Sequence, residues 1–257
     1  MALKNKNVLI TGATSGFGLA TAEIMAREGA NLILVARRKE RLDQLKKRLE
    51  KDYSVQVHPA VCDVTQYKSA MQAIQQLPIA FQSIDVLINN AGLVRGLAKL
   101  WEIKKEEWDE VIDTNVKGVL NMIHAVVPGM VQRNSGHIIN VGSISGHGTY
   151  SGGGVYCGTK FALRAFTDTL RMELLETNVR ASLISPGMAK TEFSHVRFYG
   201  DDQKANAVYD HIQALTPEDI AEAILFIASR PPHVTIADLI VYPQQQASPS
   251  MTYRKKS

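Results

Sequence analysis

Tyr156 and Lys160 lie four residues apart in a stretch with helical patterning, so their side chains share one face. Ser143 stands thirteen residues before Tyr156, just past the apolar run His137–Val141. Phenol, ammonium and hydroxyl together can move a proton to or from the oxygen of a carbonyl/alcohol pair. A tyrosine with pKa near 10 is a poor acid–base group at neutral pH, but a nearby ammonium favours the phenolate. Bringing it near neutrality takes roughly 3–4 kcal/mol, which one cation, helped by a positive ligand ring, can supply. The serine hydroxyl would hold the substrate oxygen. A Tyr-x-x-x-Lys pair is common on helices, so its weight comes from its register with the rest of the chain.

A glycine loop comes first in that register. Gly12 and Gly16 fall between the apolar run Val8–Thr11 and the amphipathic stretch Phe17–Glu28, and Gly18 sits at the start of that stretch. A phosphate approaches backbone closely only where no Cβ intervenes, and a helix N-terminus offers free N–H groups and a positive dipole end. Tight turns also produce glycine triplets, but a triplet that follows a strand and opens a helix marks a dinucleotide site. The spacing is G-x-x-x-G-x-G rather than G-x-G-x-x-G, which points to one branch of such folds. At the end of the second apolar run, an NAD site usually carries an acidic residue for the ribose 2′-hydroxyl. Here the sequence reads Ala36-Arg37-Arg38. Guanidinium groups suit a 2′-phosphate through charge-assisted bonds, so the expected cofactor is NADP(H).

The elements that must position these groups follow from periodicity. Short apolar runs at Val8–Thr11, Leu32–Ala36, Val55–Val61, Val86–Ile88, His137–Val141 and Arg180–Ile184 read as strands, several buried on both faces. Phe17–Glu28, Lys39–Lys51, Trp108–Met130 and Val155–Glu176 read as helices, the third bent or ended near Pro128. Thr216–Ser229 is a further helix with a capping box at Thr216 and Asp219. This alternation predicts an α/β fold: a single-domain Rossmann-type, doubly wound parallel sheet with helices on both faces, spanning 1–257. The stretch 188–215 interrupts the rhythm and reads as a substrate-binding insertion at the carboxyl end of the sheet. A tail begins at about 244.

Composition narrows the partners. The 257 residues carry 29 Lys+Arg against 25 Asp+Glu, a net of +4. The segment Arg37 to Asp52 holds eight basic and four acidic residues, which leaves 21 of each sign elsewhere. A basic excess confined to sixteen residues argues against nucleic acid as a partner. Two cysteines, Cys62 and Cys157, give no disulfide framework, and no apolar run suits a signal peptide or membrane span, so a cytoplasmic location is expected, with no membrane partner. The seven histidines show no metal-ligand spacing, so no metal is expected.

With those residues in view, the chain resembles the short-chain dehydrogenase/reductase family over essentially its full length. Thr11–Gly18 matches the TGxxxGxG loop, with Phe17 where isoleucine is usual. The resemblance implies cofactor contacts from Thr11, Gly12, Thr14, Ser15, Gly16, Phe17, Gly18, Arg37 and Arg38. It adds the adenine segment Asp63-Val64, the turn Asn90-Ala91-Gly92, Tyr156 and Lys160 themselves, and Pro186-Gly187-Met188 with Thr191. It also implies a catalytic set of Asn115, Ser143, Tyr156 and Lys160, with Asn115 holding a proton-relay water near the lysine. A dinucleotide-binding sensor without catalysis has no need of those four.

The C-terminal third, from Thr191 through Leu215-Thr-Pro-Glu-Asp219 to Gln246-Ala-Ser-Pro249, resembles the NADP-dependent 3-hydroxy acid dehydrogenases. That resemblance implies short substrates of the L-serine, L-allo-threonine or 3-hydroxypropionate type, with sulfoacetaldehyde reduction or broad carbonyl reduction as the alternative. Such acid and sulfonate substrates are small carbonyl or alcohol compounds bearing an anion, so a cation should wait in the pocket. Arg197 is the choice, with His147 and Arg95 in reserve; Tyr150 and Phe193 either line the pocket or pack. The family also implies a homotetramer built through the long helices Trp108–Met130 and Val155–Glu176; separately, the tail Gln244–Ser257, with its basic end Arg254-Lys255-Lys256, is expected to reach across a neighbour. Cys157, Trp101, Trp108 and His124 are expected to be packing residues.

Overall fold

The computed structural model describes residues 3–254. Seven parallel strands form one sheet in the order β3-β2-β1-β4-β5-β6-β7. They are β1 (Asn7–Thr11), β2 (Asn31–Ala36), β3 (Val57–Val61), β4 (Val86–Asn89), β5 (Gly136–Val141), β6 (Val179–Pro186) and β7 (Asp238–Val241). The order reverses between β1 and β4, the switch point at which ligands bind in open α/β sheets.

Alternate residues of the central strands feed two cores. Val8, Ile10, Leu32 and Leu34 pack under α1 (Gly16–Arg27), α2 (Lys39–Asp52) and the last long helix. Leu9, Ile33, Val35, Leu87 and Ile138 face the other side, against α3 (Tyr67–Gln75) and the middle helices. With both faces covered, the strands read as continuous apolar runs, which is why six of the seven are visible in the sequence. The seventh, β7, was not anticipated: four residues at the sheet edge, three half-buried and Ile240 exposed, are too few to show a pattern.

The helix expected over Trp108–Met130 is instead three pieces. α4 (Lys105–Ile112) passes through a π-turn, Asp113–Lys117, into α5 (Gly118–Gln132). Pro128 neither ends nor replaces that interruption. An interior proline costs about 3 kcal/mol, whereas burying Val126, Val127 and Met130 around it returns roughly 1.5–3 kcal/mol each. The helix therefore runs through. α6 (Gly154–Glu173) carries the Tyr156–Lys160 pair on its first turns.

Within 188–215 the chain forms two short helices, α7 (Phe193–Arg197) and α8 (Asp202–Ala207). A parallel bridge, Ala189 to Leu215, joins the two ends of this stretch. α9 (Pro217–Ala228) follows, with the Thr216 and Asp219 capping box formed.

Three packing expectations fail, the mildest being Trp108 on α4, which is 37% exposed. Trp101 sits in the turn before α4 and is 79% exposed, because that segment runs over the surface rather than onto a helix. His124 is exposed on α5 and meets the Tyr67 hydroxyl at 2.9 Å instead of entering the core. No helix among the described residues is long and apolar enough to cross a membrane.

Candidate active site

Strand β5 delivers Ser143 just past its end, and α6 returns Tyr156 and Lys160 over it. The Lys160 Nζ donates to the Val141 carbonyl at 2.9 Å and lies 5.7 Å from the Tyr156 ring. Lys160 is buried, with no anion beside it among the described residues, and burial pulls its pKa down to about 8. Burial pushes the Tyr156 phenol above its ordinary value, opposed by the Ser143 hydroxyl and the Arg197 charge. The sequence led to the opposite expectation, that the ammonium would draw the phenol down. For both groups the cost of desolvating a charge is the largest effect. Burial therefore favours the protonated phenol, the form that gives up a proton in the reducing direction, and the deprotonated form is the one that serves oxidation.

Gly92 separates Asn115 from Lys160: a Cβ there would stand 3.3 Å from the Asn115 Oδ1 and 3.7 Å from the Lys160 Nζ. The Asn115 side chain itself is fully engaged. Its Oδ1 accepts from the Leu93 N–H at 2.8 Å, and its Nδ2 donates to the Leu93 carbonyl at 2.8 Å and to Thr159 at 3.1 Å. Asn115 does not line the cavity, so a relay role would fall to its backbone, in the π-turn where carbonyls are displaced from their usual partners.

One cavity of about 960 Å³ joins this centre to the glycine loop. Its walls include Gly12, Thr14, Ser15, Gly16, Phe17, Arg37 and Arg38 at one end, then Asp63, Val64, Asn90, Ala91 and Gly92. Ser143, Tyr156, Lys160, Pro186, Gly187, Met188 and Thr191 line the other end. Gly12 and Gly16 hold φ of 65° and 50°, the left-handed region that a side chain resists. The residues fit a 2′-phosphorylated dinucleotide. The loop bares its backbone to the cavity. Arg37 and Arg38 open onto it without a carboxylate partner among the described residues, and Arg38 donates to the Thr14 hydroxyl at 3.3 Å.

Two loop residues expected to touch the cofactor do not line the cavity. Thr11 is buried, and its hydroxyl accepts from the N–H groups of Asn90 and Ala91 at 3.0 and 2.9 Å, tying the loop to the following turn. Gly18 is where helix and strand meet most closely: a Cβ there would fall 2.3 Å from the Gly12 carbonyl oxygen.

On the substrate side, Tyr150, Phe193 and Arg197 all face the cavity. The Phe193 ring meets Tyr156 edge-on at 5.6 Å. Arg197 donates through Nε to the Gly96 carbonyl at 2.9 Å and through Nη2 to the Tyr150 hydroxyl at 3.1 Å, and no carboxylate among the described residues pairs with it. His147 does not belong to this group. Its Nε2 turns to Ser185 at 3.0 Å and Asp238 at 3.2 Å, away from the cavity, because the start of β7 offers it a carboxylate. Arg95 is likewise outside, paired with Glu110. Cys157 is buried as a small packing residue.

The tail contributes to the cavity wall as well. Gln246 accepts from the Met188 N–H at 2.7 Å through its Oε1, and Arg254 donates to the carbonyls of Val208 and Asp210. The tail up to Arg254 therefore folds back on its own chain, where Gln246, Pro249, Ser250, Thr252 and Arg254 line the cavity beside the insertion. The basic end Lys255-Lys256 lies outside the described residues. These wall residues were missed, although Gln246-Ala-Ser-Pro249 stood out as a motif, because nothing local says where a tail docks.

The comparisons with known proteins agree with this geometry. Residues 6–201 match the family model described as short chain dehydrogenase. The NADP-dependent 3-hydroxy acid dehydrogenase of Schizosaccharomyces pombe is 47% identical over 99% of this chain and 99% of its own. Sulfoacetaldehyde reductase 2 of Chromohalobacter salexigens is 43% identical over 93% of this chain and 95% of its own. Among solved structures, the closed form of a serine dehydrogenase complexed with NADP+ superposes with a TM-score of 0.90 at 41% identity, covering 97% of this chain and 100% of the other. From the glycine loop to the tyrosine and lysine of α6, in sequence and in fold, the chain belongs to the short-chain dehydrogenase family.

Proposed function

We propose that this protein is an NADP(H)-dependent oxidoreductase that interconverts short 3-hydroxy acids, of the L-allo-threonine, L-serine or 3-hydroxypropionate type, and their carbonyl forms. The observation that carries it is the single cavity with Arg37 and Arg38 at one end, Ser143 and Tyr156 at the other, and the unneutralised Arg197 beyond them. The likeness to the fission-yeast relative and to the NADP+-bound serine dehydrogenase supports both the cofactor and the substrate class.

When bound, NADPH supplies the hydride; the protein binds, orients and polarises. Arg37 and Arg38 would hold the 2′-phosphate, and the loop amides from Gly12 to Phe17 would receive the pyrophosphate. Ser143 holds the substrate carbonyl oxygen. Tyr156, kept protonated by burial, donates its proton to that oxygen, and Lys160 stands next in line behind it. Arg197, with the Tyr150 hydroxyl beside it, takes the substrate carboxylate. In this account the residues 188–215 and the tail form the substrate wall of a single catalytic domain, the protein is cytoplasmic, and neither metal nor nucleic acid takes part.

A homotetramer is part of the same proposal. The exposed apolar side chains Trp108, Ile112 and Leu120, with Phe161 and Met172 on α6, supply surface that an assembly through these helices would bury. A monomer in sedimentation would refute it. The function is tested by comparing kcat/KM for NADP+ reduction with 3-hydroxypropionate, L-allo-threonine, L-serine and isethionate. Preference for the 3-hydroxy acids is expected. Preference for isethionate would move the assignment to a sulfoacetaldehyde reductase, whose sulfonate Arg197 could equally hold.

A further inference from the structure

Arg95 does not reach the cavity, yet it joins α4 to the segment that carries Arg197. Its Nε and Nη2 grip the Glu110 carboxylate at 2.6 and 2.7 Å, a two-point pairing that fixes the plane of the guanidinium. Its remaining arm, Nη1, donates to the Val196 carbonyl. The same guanidinium lies 4.8 Å over the ring of Tyr199, whose hydroxyl donates to Glu107, also on α4. The neighbouring residue completes the connection. The Gly96 N–H donates to the Arg197 carbonyl at 3.0 Å, and the Arg197 Nε donates back to the Gly96 carbonyl at 2.9 Å.

A five-residue helix such as α7 has too few internal bonds to fix its own end. Here the end is fixed from outside, by an ion pair rooted in α4. Because Arg95 and Glu110 balance each other, they add no net charge beside Arg197, which lines the cavity together with Lys204 and Arg254.

We infer that Arg95 is a positioning residue for substrate-anion recognition: by holding the Val196 carbonyl against Glu110 of α4, it sets where the Arg197 guanidinium stands. This role rests on the proposed assignment of the substrate carboxylate to Arg197. Displacing Arg197 weakens only substrates that carry the anion, whereas a general loosening of the segment weakens all substrates alike.

The experiment compares kcat/KM for 3-hydroxypropionate and for its neutral amide, 3-hydroxypropionamide, in the wild type, Arg95→Met, Glu110→Gln and Arg197→Met. The acid-to-amide ratio should fall most in Arg197→Met. It should fall about tenfold in Arg95→Met, the scale of one lost hydrogen bond to a charged group, and the fall should lie in KM for the acid rather than in kcat. Glu110→Gln should move the same way by less, and it decides the matter if Arg95→Met does not fold. An unchanged ratio in Arg95→Met, whether both substrates decline together or neither does, overturns the positioning role, as does an unchanged ratio in Glu110→Gln where it is the deciding variant. If Arg197→Met alone lowers the ratio, the anion assignment stands and only the positioning role is lost. If Arg197→Met leaves the ratio unchanged, the anion assignment falls and the positioning role falls with it.

Discussion

The Lys160 ammonium hangs from the carbonyl of Val141, 2.9 Å away, two residues before Ser143. That bond ties the first turns of α6 to the end of β5 and so brings the phenol of Tyr156 to the serine hydroxyl. It also keeps a lysine buried with no compensating anion among the described residues, which has a measurable consequence.

Burial holds Lys160 at a pKa of about 8 in the folded protein, against 10.5 in an unfolded chain. Below pH 8 both states carry the proton and the fold bears the full cost of the buried charge. Between pH 8 and 10.5 only the folded state has released it, so stability contributed by this site rises with pH. The gain is roughly 3 kcal/mol, at about 1.4 kcal/mol per pH unit. Denaturant unfolding of wild type and Lys160→Met across this range should show the wild type gaining on the variant. Parallel pH profiles would mean that the lysine is not desolvated as described.

At the other end of the cavity, Arg37→Asp should reverse or abolish the preference for NADPH over NADH. Loss of one charge-assisted bond to a phosphate costs about 1.5–3 kcal/mol, or roughly 10–100-fold in affinity, and the new carboxylate would repel the 2′-phosphate. Titration of both cofactors by fluorescence measures it. An unchanged preference would remove Arg37 from the cofactor site.

Gly18→Ala tests the packing beneath the loop. The added methyl would fall 2.3 Å from the Gly12 carbonyl oxygen and 2.5 Å from the Asn90 Nδ2. Neither can yield without moving the bond from Asn90 Nδ2 to the Thr11 carbonyl, 2.8 Å. A loss of about 1–3 kcal/mol in stability is expected, together with weakened NADPH binding. Wild-type stability and affinity would show that loop and turn are not locked as described.

How far the sequence carried varies with the range of the interaction. Tyr156, Lys160 and Ser143 were legible because helix spacing and one strand end place them. Gly12, Gly16 and the two arginines were legible because they sit at fixed offsets from strands. His147 was not, since the same loop could aim it inward; Ser185 and Asp238, on β6 and β7, turn it away. The direction of the Tyr156 shift was missed because burial, unlike spacing, is a property of the assembled fold. The tail was missed for the same reason: Gln246 finds Met188 across 58 positions of chain.

The most direct measurement is the turnover of Tyr156→Phe beside its affinity for NADPH. The variant loses one hydroxyl from a half-buried ring and should fold and bind NADPH as the wild type does. Positioned proton donation contributes about 10²–10⁴-fold, so turnover with a short 3-hydroxy acid or its carbonyl form should fall by at least a hundredfold. A variant that binds NADPH and keeps more than about a tenth of the wild-type rate, well above what loss of such a donor allows, would contradict the account.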